Sequence, residues 1–243
     1  MPEEVGVIIN NLRSISSTKF GDLELFSGEL FLSNHKRLLV TVGWSGWGKV
    51  SAARATTRLL SIKYNEIPID LIIFTGVAGA VNKKLKQWDI VIADSLIQHD
   101  MDARPIYDKF VIPALNNKII ISEKILINNL CKILSKKLKE KNLEIFGSIY
   151  KGLVATGDKF ISDKTVLKKL SSEIKGLLAV EMEGGAFAQV AQQENVDWLV
   201  LRVISDSANE EANLEFKEFL SEYKLKSFSL LESYLSSLFE GDF

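Results

Sequence analysis

Residues 177–206, LLAVEMEGGAFAQVAQQENVDWLVLRVISD, decide the fold because they pass from strand to helix and back to strand. The apolar run over Leu177–Glu181 predicts a strand, residues 184–195 predict a helix, and residues 198–205 predict a second strand. The rest of the chain repeats this alternation. The sequence therefore predicts an α/β fold with a mostly parallel or mixed sheet.

The other predicted elements are spread along the whole chain. Strands are predicted at 23–26, 29–32, 37–42, 69–75, 88–98 and 145–156, with Ser27-Gly28 as a tight turn. Helices are predicted at 49–64, 122–139, 163–172 and 214–239, with Ser122 and either Ser162 or Asp163 as N-caps. No linker-like stretch or internal repeat interrupts this pattern, so we expect a single domain over residues 1–243.

Both strands of the opening stretch end in carboxylates. The first runs into Glu181 and Glu183, and the second runs into Asp206. Ligands of open α/β sheets bind at the carboxyl ends of strands, so we expect Glu183 and Asp206 at neighbouring points on one rim.

A ribose diol would suit Glu183, because a carboxylate accepts two charge-assisted hydrogen bonds from it. Asp206 fits a general acid, although an N-cap or turn aspartate is the commoner reason for such a position. Arg202, inside the second strand, requires a partner because an isolated buried charge is costly.

The composition excludes several classes of function. Lys and Arg number 30 and Asp and Glu 31, with both signs dispersed, which argues against nucleic acid or a membrane surface as partner. The single cysteine, Cys131, excludes an internal disulfide and suits a reducing compartment. No apolar run reaches the roughly 18 residues that span a bilayer. We therefore expect a cytoplasmic protein that acts on a small molecule.

Three polar or glycine-rich segments leave two interpretations open. The loops at 42–49 and 75–80 follow predicted strands, and each could bring backbone N–H groups to a ligand or simply turn the chain. Residues 99–102, HDMD, are the nearest approach to a ligand cluster, although a solvated loop is the favoured interpretation. His35 and His99 are too isolated in sequence to predict a metal site.

Six motifs in order along the chain resemble the nucleoside phosphorylase/hydrolase superfamily, and within it the bacterial 5′-methylthioadenosine/S-adenosylhomocysteine nucleosidases. They are GWGKV (46–50), TGVAG (75–79), GDKFI (157–161), AVEME (179–183), RVISD (202–206) and LEFKEFL (214–220). The resemblance implies a three-layer sandwich with a central mixed β-sheet. It also implies a homodimer, a nucleoside substrate, and neither a metal nor an organic cofactor.

The same resemblance implies roles for matching residues. Asp206 would protonate adenine N7, and Glu4 would position and deprotonate the attacking water, with Arg202 near it. Phe160 would stack on the purine, and the backbone of Ile161 would read its Watson–Crick edge. Ribose would be held by Met182 and Glu183. Further positions that match the family's substrate site are Gly79, Ser205, Trp47 and Phe216, the last two lining the 5′-alkylthio pocket.

This sequence departs from the family pattern at several places. Phe74 and Val77 stand where phosphorylases of the superfamily carry an arginine and a serine for phosphate, which favours water as the nucleophile. Nucleosidases also commonly carry a hydroxyl at the Val77 position, and Trp47 replaces a smaller aliphatic residue and could shorten the 5′ pocket. Residues 1–5, MPEEV, match the segment after the family's first strand, so we expect a further strand upstream.

Hydrolysis of 5′-methylthioadenosine and S-adenosylhomocysteine is the activity that the resemblance implies. Three alternatives stay open at this point. The first two are a purine nucleoside phosphorylase and a futalosine-type hydrolase of the same superfamily. The third is a catalytically weakened nucleoside-binding protein, which the loss of the hydroxyl at Val77 would suit.

Overall fold

The computed structural model describes residues 2–32, 36–63, 67–139, 143–206 and 212–237. Its elements in chain order are α1 (Pro2–Asn10), β1 (Leu12–Phe20), β2 (Leu23–Phe31), β3 (Arg37–Gly43), α2 (Lys49–Leu60), β4 (Leu71–Ala80), β5 (Ile90–Gln98), a 3₁₀ turn (Pro113–Leu115), β6 (Ile119–Ile121), α3 (Lys124–Lys137), β7 (Ile149–Thr156), α4 (Lys164–Glu173), β8 (Leu177–Glu181), α5 (Gly184–Gln193), β9 (Asp197–Asp206) and α6 (Ala212–Ser237). None of these helices carries the long apolar run that a membrane span requires.

The central sheet is mixed and has the strand order β6-β5-β7-β8-β4-β9. Strands β5, β7 and β8 run parallel to one another, and β4 runs parallel to β9 but antiparallel to β8. β5 also pairs with β9, for example at Ile90 and Val203, so the sheet closes on itself. A separate antiparallel sheet contains β1, β2 and β3.

Helices cover both faces of the central sheet because its strands are apolar on both sides. Along β9, Leu199, Leu201 and Val203 pack in the cluster that contains residues of α3 and α6. The alternate residues Val200 and Ile204 pack in the cluster that contains residues of α5. Successive side chains of a strand point to opposite faces, so this alternation places one helical layer on each side. The expected α/β sandwich around a mixed sheet is confirmed.

The register of β4 brings the two acidic strand ends together. Gly79 of β4 pairs with Val180 of β8 on one side and with Asp206 of β9 on the other. β4 therefore lies between β8 and β9, and β8 runs in the opposite direction to both. The ends of the two acidic strands flank the tip of β4.

The predicted turn at Ser27-Gly28 is wrong, because both residues lie inside the continuous strand β2. Ser27 Oγ lies 2.8 Å from Thr41 Oγ1 of β3, which is a cross-strand hydrogen bond between hydroxyls. A Cβ on Gly28 would lie 2.8 Å from the carbonyl oxygen of Arg13 in β1. Gly28 therefore permits close approach of two strands rather than a reversal of the chain.

Two predicted N-caps have different outcomes. Asp163 caps α4, and its carboxylate accepts a hydrogen bond of 2.6 Å from the N–H of Thr165. Ser122 is not the cap of α3, because Glu123 occupies the N-cap position. The hydroxyl of Ser122 donates instead to the carbonyl oxygen of Trp198 at 2.8 Å and fastens the start of α3 to β9.

Candidate active site

One cavity of about 840 Å³ collects most of the predicted site residues. Its wall includes ten of the eleven predicted residues: Trp47, Gly79, Phe160, Ile161, Met182, Glu183, Arg202, Ser205, Asp206 and Phe216. The eleventh, Glu4, belongs to α1, but its side chain lies outside the described part of the structure. The cavity also runs between β3 and β4, whose apolar side chains form much of its wall.

Glu181 and Arg202 form a buried ion pair at the floor of this cavity, with side-chain exposures of 2% and 3%. Arg202 Nη2 and the hydroxyl of Thr156 both donate to the Glu181 carboxylate. The same carboxylate accepts the backbone N–H groups of Glu183 at 3.0 Å and Gly184 at 2.7 Å, where α5 begins. Glu181 thus stabilises the N-terminus of α5 and gives Arg202 the partner that its burial requires.

Glu183 has a more open environment than Glu181. Its carboxylate accepts one backbone hydrogen bond of 2.8 Å, from Gly48, and lies 3.8 Å from Arg202 Nη2. It occupies the N-cap position of α5 without capping the helix with its side chain. Burial raises the pKa of Glu183 above its ordinary value, and the nearby Glu181 charge adds to that rise. The carboxylate lines the cavity, where a ligand hydroxyl could reach it.

Asp206 is buried at the end of β9. The hydroxyl of Ser205 lies 2.7 Å from Asp206 Oδ2 and can donate to it. The backbone before Asp206 is fixed from two directions: Gln87 Nε2 donates to the Ser205 carbonyl at 2.8 Å, and the Trp88 N–H donates to the Ile204 carbonyl at 2.9 Å. A carboxyl group is thereby held at the cavity wall by a rigid strand end.

Three aromatic rings stand on one side of the cavity. Phe160 and Phe216 meet edge to face with their centroids 6.0 Å apart, and Trp47 meets Phe216 in the same way at 6.4 Å. Trp47 is 54% exposed and Phe160 38%, so both rings offer uncovered surface. Such rings can stack on a flat heterocycle and pack against an apolar substituent.

Comparison with known proteins identifies the family. A family model described as the phosphorylase superfamily matches residues 1–236. A 5′-methylthioadenosine/S-adenosylhomocysteine nucleosidase from Exiguobacterium sp. (strain ATCC BAA-1283 / AT1b) is 33% identical over 228 residues, which cover 93% of this chain and 91% of that protein. The chain belongs to this nucleosidase family of the phosphorylase superfamily.

Solved structures of the family agree with this assignment. The nucleosidase from Neisseria meningitidis, in complex with methylthio-immucillin-A, has a TM-score of 0.84 and 28% identity, covering 98% of this chain and 96% of its own. The nucleosidase from S. pneumoniae, with the transition-state inhibitor MT-ImmA, has a TM-score of 0.82 and 32% identity, with the same coverage.

The departure at Phe74 has a structural counterpart in this family member. The Phe74 ring lies under the Arg202 guanidinium, with 4.4 Å between Arg202 Cζ and the ring centroid. Phe74 also stacks on Phe187 of α5 at 4.8 Å. Gly76 leaves room for this arrangement, because a Cβ there would overlap Arg202 Nη1. The aromatic side chain therefore supports the arginine of the site.

Sequence reasoning missed Glu181 and Gly48 as parts of the site. The signal for Glu181 was present, because Arg202 required a buried partner and Glu181 closes a predicted apolar strand. Gly48 could not be assigned, since its loop was compatible with a ligand loop or a turn. Its N–H in fact binds the Glu183 carboxylate of the protein itself.

Residues 99–102 lie in the turn after β5, where Asp100 and Asp102 are exposed, as expected of a solvated loop. Asp100 also forms an ion pair with Lys49 at 2.6 Å. Asp102 pairs with Arg104 at 2.5 Å. Within the described ranges, no group of three or more His, Cys, Asp or Glu side chains could hold a metal ion.

Proposed function

We propose that the protein hydrolyses the N-glycosidic bond of 5′-methylthioadenosine and of S-adenosylhomocysteine, releasing adenine and a 5′-thioribose. The observation that carries this proposal is the meeting of Asp206, Glu183 and the aromatic rings around one cavity in a member of this nucleosidase family. Cleavage of such a bond passes through an oxocarbenium-like state, which requires an acid on the leaving group and a carboxylate on the water.

Asp206 acts on the leaving base. In this proposal Asp206 protonates adenine N7, and the adjacent Ser205 hydroxyl orients its carboxyl group. Phe160 stacks on the purine, and the backbone of Ile161 reads the Watson–Crick edge. Gly79 lies beside Asp206 in the sheet register, and the absence of a side chain there lets the base approach β4.

Glu183 and Met182 bind the ribose in this proposal. Both residues line the cavity at the start of α5. The Glu183 carboxylate has a single backbone donor, the Gly48 N–H, among the hydrogen bonds of the described residues. It can therefore accept the two sugar hydroxyls as charge-assisted hydrogen bonds. Trp47 and Phe216 then face the 5′ substituent, where their apolar surface suits a thioether.

Water rather than phosphate is the nucleophile of this proposal. Arg202 already serves Glu181 and Glu183, so its charge is compensated and a phosphate dianion would meet acidic surroundings. Phe74 and Val77 line the cavity and bring no donor for an anion. Arg202 Nε is buried with no hydrogen-bond partner among the described residues. Glu4 is the proposed base for the attacking water.

A homodimer in the cytoplasm is the remaining part of the proposal. The homodimer is supported by large apolar side chains on the surface, of which Ile106 is 83% exposed and Val50 80% exposed. Burial of such side chains against a second copy would remove apolar surface from water. Sedimentation of the purified protein tests the homodimer, and a monomer at micromolar concentration would contradict that assembly.

Adenine release with and without phosphate tests the reaction. We expect release from both substrates at a rate independent of phosphate, and Asp206→Asn to lower turnover by about 10²–10⁴-fold while substrate still binds. Asp102→Asn is the matched control, because Asp102 is a surface aspartate paired with Arg104. Phosphate dependence would instead identify a phosphorylase. Binding without turnover would identify a nucleoside-binding protein.

A further inference from the structure

The carboxyl ends of β5 and β7 place two aspartates side by side. The two strands are parallel neighbours, and Gln98 of β5 pairs with Thr156 of β7 at their ends. Just beyond this pair, the N–H of Asp158 donates to Asp100 Oδ2 at 2.9 Å. Two loops that leave the sheet at adjacent points are therefore joined, and the loop after β7 continues to Phe160 at the cavity wall.

Lys49, the first residue of α2, joins a third segment to these loops. Its ammonium lies 2.6 Å from Asp100 Oδ1 and 3.9 Å from Asp158 Oδ2. Its backbone N–H donates to Asp158 Oδ1 at 2.7 Å. The side chains of Lys49, Asp100 and Asp158 are 18%, 32% and 49% exposed, so the ammonium is largely shielded from water while the two carboxylates stay partly exposed. We call Lys49, Asp100 and Asp158 the latch.

The latch lies next to the walls of the candidate active site. Trp47 precedes Lys49 by two residues, and Phe160 follows Asp158 by two residues. Gly48, between Trp47 and Lys49, donates its N–H to the Glu183 carboxylate. One charged cluster therefore fixes the loop that carries Trp47, the loop that carries Phe160, and the donor to the proposed ribose acid.

The electrostatics of the latch favour its charged form. Burial opposes ionisation of Asp100, but the Lys49 hydrogen bond and the Asp158 N–H outweigh it and lower the pKa of Asp100 below its ordinary value. Burial lowers the pKa of the neighbouring His99, so its imidazole is neutral near pH 7 and does not compete with Lys49 as a cation. The His99 ring packs against Gly157, where a Cβ would overlap it.

We propose that the latch is a positioning device that sets the distance between the Trp47 and Phe160 walls, with Lys49 as its central positioning residue. This inference deepens the proposed function and rests on it for its kinetic consequence. A substrate has to contact both walls at once. The apparent affinity for the substrate therefore decreases when fewer molecules have both walls correctly placed. Lys49 makes no contact with the reacting bond in this scheme, so loss of the latch acts on KM rather than on kcat.

Steady-state kinetics of Lys49→Met and Asp100→Asn test the inference against a matched control. Lys109→Met removes another Lys–carboxylate pair with the same 2.6 Å separation, to Glu173, and similar exposure, but this pair does not join the segments that carry Trp47 and Phe160. We expect KM for 5′-methylthioadenosine to rise about tenfold in Lys49→Met, a loss typical of one charged hydrogen bond, with kcat within about twofold. Lys109→Met should leave both constants unchanged, and the Lys49→Met/Asp100→Asn double variant should be no worse than Lys49→Met alone.

Amide hydrogen exchange provides a readout that does not depend on turnover. In Lys49→Met we expect faster exchange both at residues 44–48 and at residues 157–161, although the substitution adjoins only the first of these segments. Faster exchange in the first segment alone would overturn the inference. An unchanged KM in an active Lys49→Met enzyme, or a fall in kcat without a rise in KM, would overturn it as well. A wild-type protein that releases no adenine would refute the proposed function, and the exchange data would still decide whether the latch couples the two loops.

Discussion

Two carboxylates at the end of β8 have the same chemistry and opposite surroundings. Glu181 is almost fully buried and is surrounded by donors from Thr156, Arg202 and the first turn of α5. Glu183 lies two residues further on, at the cavity wall, with the Gly48 N–H as its close donor. Burial, with the nearby Glu181 charge, raises the pKa of Glu183 above its ordinary value.

The difference separates a structural acid from the acid that we propose to bind the ligand. The donors around Glu181 compensate its charge, so it has little capacity left for a substrate. Glu183 is desolvated, but the protein gives its carboxylate fewer hydrogen-bond donors than it gives Glu181. A pair of sugar hydroxyls would supply the missing donors. Perturbed carboxylates of this kind concentrate at functional sites.

The largest effect should follow from removing the Glu181 charge. Glu181→Gln leaves Arg202 buried beside a neutral amide, and loss of one member of a buried pair costs about 3–5 kcal/mol. We expect the free energy of unfolding, measured by urea denaturation, to fall by that amount.

Glu173→Gln is the matched control for this substitution. It removes a carboxylate whose ion pair, to Lys109 at 2.6 Å, lies at the surface. Surface pairs contribute little, so this variant should unfold at nearly the wild-type urea concentration. Similar midpoints for the two variants would contradict the structural role of Glu181.

The sequence predicted the β8–α5 junction because a local pattern produces it: an apolar strand, two acids and a glycine pair. It placed Glu183 and Asp206 in one site, although it could not show that β4 lies between them. The closure of β5 onto β9 pairs residues that are far apart along the chain, such as Ile90 and Val203, and no local period encodes it. Strand β1 escaped prediction because eight of its nine residues are not buried, so no alternation of apolar side chains marks it.

The second effect should appear in binding rather than in folding. Glu183→Gln keeps an oxygen that can accept from Gly48 but loses the charge that would bind the ribose. Hydrogen bonds to charged groups contribute about 1.5–3 kcal/mol, so KM for 5′-methylthioadenosine should rise about tenfold to a hundredfold. Unfolding in urea at neutral pH should be unchanged or need more denaturant, because the variant no longer buries an incompletely compensated charge. A destabilisation like that of Glu181→Gln would remove the distinction between the two acids.

A smaller effect should come from the ring under Arg202. Phe74→Leu removes the cation–π contact with Arg202 and the stack on Phe187, which together contribute about 1–2 kcal/mol to folding. We expect kcat to fall as well, since Arg202 loses the surface that supports it beside the proposed water site. Phe146→Leu is the control, because Phe146 packs edge to face on Trp88 at 5.8 Å and does not line the cavity. Equal kinetics for the two variants would show that the Phe74 ring serves packing alone.

The smallest effect is a pH dependence that only Glu183 should produce. Its carboxylate has to be ionised to accept the sugar hydroxyls, and its raised pKa means that protonation begins at a higher pH than for an ordinary glutamate. As the pH falls through that raised pKa, KM of the wild type should increase by less than about tenfold per pH unit. The folded state also binds this proton more readily than the unfolded state, so this group's contribution to stability is highest at low pH and declines as the pH rises through the same window. Glu183→Gln cannot titrate, so the ratio of its KM to the wild-type value should shrink with falling pH, and a constant ratio would place the titrating group elsewhere.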